Sequence, residues 1–200
     1  KTLSGFASLL TAQGRFEEAE VLLRESLEIR RSEHAEDQLD VAKAMEDLGM
    51  NLFDQGIYDD AETMLRDSNA MRKRLLHDSP HPQLADGLNN LALLLWDQGR
   101  FEEAEVLYRE ALEMNKVLLD DYHPTIAANM NNLAVLLHDM GDFDAAAPMY
   151  RDVITARRKT LGNEHPEVAL ALNNLAYLLY DRGDRDAAIT MQREAIDIYR

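Results

Sequence analysis

The stretch "HPEVALALNNLAYLLYDRGD", residues 165–184, decides how the chain is read. Leu172, Leu175, Ala176 and Leu179 fall at i, i+3, i+4 and i+7, the spacing of an amphipathic helix. Asn173 and Asn174 interrupt its middle. Each costs roughly half a kcal/mol against Ala there, because the short amide competes for backbone hydrogen bonds. The same pair stands 42 residues earlier as Asn131 and Asn132, and 42 before that as Asn89 and Asn90. An unfavourable pair that recurs in register belongs to a repeat.

Working outward, Gly14, Gly56, Gly99, Gly141 and Gly183 are spaced 42, 43, 42 and 42. Each lies between two helical patterns, where Gly supplies a left-handed C-cap. The acidic residues that follow, as in "QGRFEEAE" at 98–105, suit the positive end of the next helix dipole. Entry to the first helix of a unit is also periodic. His81-Pro82, His123-Pro124 and His165-Pro166 recur at 42, with Pro placed for the first helical position. The extra residue in the 43 spacing falls in "HDSPHP", residues 77–82, and reads as a loop insertion. Each unit is thus helix A, a tight turn and helix B. Approximate unit boundaries are 1–34, 35–79, 80–121, 122–163 and 164–200, with both ends expected to cut into a longer array.

Small residues recur in helix A at Ala7, Gly49, Ala92, Ala134 and Ala176, and in helix B at Ala19, Ala61, Ala104, Ala146 and Ala188. An aromatic opens helix B at Phe16, Tyr58, Phe101 and Phe143, with Arg185 in the last unit. This pattern resembles the tetratricopeptide repeat (TPR). The 42-residue period, against about 34 in the standard repeat, together with "HPxxAxxLNNLAxLLxDxG", is similar to the kinesin light chain type. The resemblance implies an all-α, right-handed superhelical solenoid of about five repeats, with the helix A faces lining a concave groove.

That groove is expected to present residues off the core stripe: Asn89, Asn90, Asn131, Asn132, Asn173 and Asn174, together with Tyr177. An amide donates and accepts, so an Asn ladder can hold an extended peptide backbone. Alternatively, the amides bridge one helix A to the next. One turn on runs a ring column, Phe53, Trp96, His138 and Tyr180, and beside it an acidic column, Asp54, Asp97, Asp139 and Asp181. The rings either face a ligand or pack between repeats. Nine acids lie in helix A from the second unit onward, Glu46 and Glu167 among them, against Lys43 and Arg182. The groove is therefore expected to be acidic. Cations that would clamp a terminal carboxylate, as in the chaperone-binding members of the family, are missing from it.

Composition narrows the function. Formal net charge is −16, which repels nucleic acid and anionic lipid and favours a basic or neutral protein partner, or serves solubility alone. There is no Cys, consistent with a cytoplasmic location. No apolar run reaches the length of a membrane span. No phosphate-binding glycine loop or "HExxH" occurs. His81, His123 and His165 are a repeat apart, and His77 and His81 straddle a Pro-broken loop, so neither metal nor cofactor is expected. The sequence points to a non-catalytic scaffold that binds an extended peptide, with a structural or autoregulatory spacer of a larger signalling protein as the alternative. Exposed repeat ends leave end-to-end self-association open.

Overall fold

The turn glycines set the architecture. In the computed structural model, which describes residues 2–33 and 38–200, Gly14, Gly56, Gly99, Gly141 and Gly183 all have φ between 73° and 91°. Around each, the next residue's N–H reaches the carbonyl five residues back, as from Asp184 to Leu179 (2.8 Å) and from Ile57 to Leu52 (2.9 Å). This is the Schellman closure of a helix end.

Ten helices follow among the described residues. They are α1 (Thr2–Ala12), α2 (Phe16–Glu33), α3 (Leu39–Asp54), α4 (Tyr58–Leu75), α5 (Pro82–Asp97), α6 (Phe101–Leu118), α7 (Pro124–Asp139), α8 (Phe143–Leu161), α9 (Pro166–Asp181) and α10 (Arg185–Tyr199). Odd-numbered helices are the A helices. His34 lies outside the described residues. The chain divides into two compact units, Lys1–Arg100 and Phe101–Arg200.

In the first unit α1 packs on α2, α2 on α3, α3 on α4 and α4 on α5. In the second, α6 packs on α7, α7 on α8, α8 on α9 and α9 on α10. An A helix with a B helix on either side buries more than one stripe. On α9 the expected Leu172, Leu175, Ala176 and Leu179 are buried, and so are Val168, Ala169, Ala171 and Leu178. One flank meets α8 and the other α10. The repeated small residues sit where helices approach most closely. Ala19, Ala61, Ala104 and Ala146 are fully buried, and a Cβ on Gly49 would come within 3.0 Å of Leu65 Cγ.

The His-Pro entries work through both residues. Pro82, Pro124 and Pro166 each begin their helix. The preceding His Nδ1 accepts the backbone N–H two residues on, from Gln83, Thr125 and Glu167, each at 3.2 Å. The imidazole therefore acts as an N-cap, a role usually held by Ser, Thr, Asp or Asn. The insertion before α5 is absorbed by His77 and Asp78, two consecutive residues with φ of 53° and 55°.

Candidate binding faces on the A helices

The expected Asn ladder occupies the seam between successive A helices within each unit. In the second unit Asn174 Nδ2 donates to Asn131 Oδ1 at 3.1 Å, tying α9 to α7. In the first, Asn90 Nδ2 donates to Glu46 Oε1 at 3.2 Å, tying α5 to α3. The second amide of one pair reaches back to the first position of the preceding A helix. Bridging is therefore one role of the amides. All six asparagines, Asn89, Asn90, Asn131, Asn132, Asn173 and Asn174, remain half-buried, open on one side to solvent. Asn173 Oδ1 is shielded and accepts no hydrogen bond among the described residues.

The expectation that Glu46 contributes free negative charge is corrected. Glu46 is 3% exposed and pairs with Arg72, which is 0% exposed. Lys43 Nζ adds a second cation at 2.9 Å. A carboxylate loses too much hydration on burial to stand without such partners. Room for the guanidinium comes from Gly87 on α5: a Cβ there would land on Asn69 Oδ1 and Arg72 Nη1. Asn69 Nδ2 in turn donates to the Gly87 carbonyl at 2.9 Å. Homologous positions carry related ties. Asn115 donates to Asn129 at 2.6 Å, and Arg157 to the Glu167 carbonyl at 2.9 Å. The Glu167 carboxylate lies 3.4 Å from Arg157, so it too is partly neutralised.

The rings of the column differ in burial and in contacts. Phe53 is half-buried and meets Tyr58 edge-on at 6.0 Å. His138 is half-buried, meets Phe143 edge-on at 5.7 Å, and has Nε2 2.9 Å from Asp181 Oδ2. These two pack between helices. Trp96 is half-buried. Tyr180 is 59% exposed and Tyr177 65% exposed, so neither ring is consumed by the fold. With Ala176, Ala188, Ile189 and Gln192 they line an apolar cavity of about 260 Å³ between α9 and α10.

Asp54, Asp97, Asp139 and Asp181 are all exposed at the ends of their A helices. Asp97 accepts a hydrogen bond from Tyr58, which together with the negative charge raises the phenol pKa. Partial desolvation raises the Asp54 pKa from its ordinary value. In the first unit Asp54 also lines a cavity of about 200 Å³ between α1 and α3, with Asp47, Met50 and Asn51 from α3 and Ser8 and Thr11 from α1. Sequence reading began the ring column at Phe53 and missed this cavity. The register would have revealed it, because Thr11 stands 42 residues before Phe53. Among the described residues no cluster of three His or acidic side chains could hold a metal, and no helix is long and apolar enough to cross a membrane.

Comparison with known proteins agrees with the architecture. A tetratricopeptide repeat model matches residues 1–74, 83–159 and 153–200, and a second matches 46–116. The TPR-like repeats described as a kinesin light chain of Podosopora anserina superpose with a TM-score of 0.87 at 22% identity, over 99% of this chain and 93% of that one. BtubC (BKLC) from P. vanneervenii superposes with a TM-score of 0.88 at 26% identity, over 98% of this chain and 78% of that one. MamA gives 0.67 at 16% identity, over 96% and 94%. No curated protein sequence matches the chain. With repeat models covering most of its length and the A–turn–B hairpin repeated along its fold, the chain belongs to the tetratricopeptide repeat family, in its kinesin-light-chain-like form, an all-α fold of protein–protein interaction scaffolds.

Proposed function

We propose that the chain is a non-catalytic adaptor that binds an extended, basic or neutral peptide segment along the exposed sides of its A helices. The observation that carries this reading is the pair Tyr177 and Tyr180. Both rings stand mostly in solvent on a helix otherwise buried on two flanks, above an apolar cavity that no side chain fills. Amphipathic rings of this kind supply contact area at low entropic cost and are enriched in binding hot spots. Asn174, half-buried and with amide capacity beyond its bond to Asn131, lies on the same helix and suits a peptide backbone. Exposed Asp139 and Asp181 in the second unit, and Asp54 and Asp97 in the first, favour a cationic partner. The overall charge of −16 works against nucleic acid and anionic membrane.

The test is a peptide-array screen with the full chain, repeated with Tyr177→Ser/Tyr180→Ser. Binders enriched in Lys, Arg or amide side chains, weakened about tenfold or more by the double change, would support the reading. Binders indifferent to both tyrosines would contradict it.

A further inference from the structure

We propose that the cavity between α1 and α3 seats a Lys or Arg side chain of the bound peptide, with Asp54 as its charge partner. This rests on the peptide-binding reading above and assigns it a specific subsite. Three observations converge there.

First, the cavity exists because two small hydroxyl residues stand in a register filled elsewhere by larger groups. Thr11 occupies the position of Phe53, Trp96, His138 and Tyr180, and Ser8 that of Met50, Leu93, Val135 and Tyr177. The cavity beside them has a volume of about 200 Å³. Second, its walls are of two kinds. Leu23, which is buried, and Met50 offer apolar surface for methylene groups, while the polar residues Ser8, Thr11, Asp47, Asn51 and Asp54 line the remainder. Long cationic side chains combine these two demands, an apolar stem and a charged head.

Third, the charge of Asp54 is uncompensated. Asp47, on the same wall, has Lys43 Nζ at 3.0 Å. Asp54 has no cation in ion-pair reach among the described residues, and its partial desolvation goes unrelieved. An incoming ammonium would supply the missing partner. The polar wall is already fixed for this. Asn51 is 2% exposed, its Oδ1 accepts from Gln55 Nε2 at 2.9 Å, and its Nδ2 donates to Thr11 Oγ1 at 3.4 Å. Ser8, also in the lining, donates its proton to the Ser4 carbonyl at 3.0 Å, so toward any other group its hydroxyl can act as an acceptor. An acidic side chain would face the uncompensated carboxylate of Asp54. A purely apolar one would fill the space but strip water from Asp54 without replacing it.

The experiment uses the full chain and fluorescein-labelled nonapeptides of Gly, Ser and Gln with one central Lys, Arg, norleucine or Glu, read by anisotropy. Lys and Arg peptides are expected to bind about tenfold tighter than norleucine, with Glu weakest. Asp54→Asn should remove most of that advantage, weakening the Lys and Arg peptides while norleucine binds as well as before or more tightly. Thr11→Phe should block the cavity and equalise the peptides, and Thr11→Val, which keeps it open, should preserve discrimination; circular dichroism checks that each variant folds. Equal binding of Lys and norleucine by the parent chain, or an intact Lys advantage in Asp54→Asn, would overturn the subsite alone. No binding of any peptide would overturn the peptide-binding reading together with it.

Discussion

Asn174 donates its amide to Asn131 across 3.1 Å, so two A helices are joined by side chains 43 residues apart. The helix-propensity cost of Asn at these positions is thus offset by a tie between helices that Ala could not make. Asn174→Ala is expected to lower unfolding free energy by about 0.5–1.5 kcal/mol. The double change with Asn131→Ala should cost less than the sum of the singles. Urea denaturation of the four proteins measures this, and strict additivity would show that the bond contributes nothing.

The buried Arg72–Glu46 pair gives a larger effect. Removing one charge leaves the other stranded, so Arg72→Met should cost about 3–5 kcal/mol. Adding Glu46→Met should recover part of it. Gly87→Ala should also destabilise, although Ala is the better helix former by about 1 kcal/mol, because its methyl would displace Asn69 and Arg72. A more stable Gly87→Ala protein would mean that the cluster yields easily.

Much of this fold could be read from punctuation. Gly183 and its equivalents mark turns that need positive φ, and His-Pro marks helix starts, because backbone sterics at these points depend on one or two residues. The Arg72–Glu46 pair could not be read that way. Glu46 shares its register with the exposed-looking Asn pairs, and its burial depends on an arginine from α4 and on the absence of a side chain at Gly87 in α5. The breadth of the buried face on α9 was likewise hidden, since periodicity within one helix does not count its neighbours. Among the expected site residues, Tyr177 and Tyr180 are exposed, whereas Phe53 and His138 are engaged with Tyr58, Phe143 and Asp181.

The histidine caps are separable from the prolines that follow them. His165→Ala should cost about 1 kcal/mol, and His165→Asn, which keeps an acceptor at the N-cap, should cost much less. Thermal denaturation at fixed pH distinguishes the two. Equal losses would show that the Nδ1 bond to Glu167 is incidental.

Asp86 on α5, exposed on one side, has its pKa raised, chiefly by partial desolvation and further by the negative charge of Glu46, against the lowering charges of Lys43 and Arg72. The folded state therefore binds the Asp86 proton more tightly than the unfolded state. Ionised Asp86 costs stability at pH values above its folded pKa, and that cost disappears as pH falls through the folded pKa toward the ordinary Asp range. Asp86→Asn should raise the urea midpoint at about pH 7, with the gain shrinking toward zero below about pH 4. A gain independent of pH would place its cause elsewhere.

The most direct measurement of peptide binding uses Trp96, the only tryptophan in the sequence and a half-buried A-helix residue. The full chain is titrated with basic, neutral and acidic pools of extended peptides at low and high salt while its fluorescence is followed. A saturable change with the basic pool, weakened by salt and missing with the acidic pool, is expected from the exposed aspartates and from Asp54 beside its open cavity. A saturable change with the acidic pool alone, or none with any pool, would contradict peptide binding on the acidic A-helix faces.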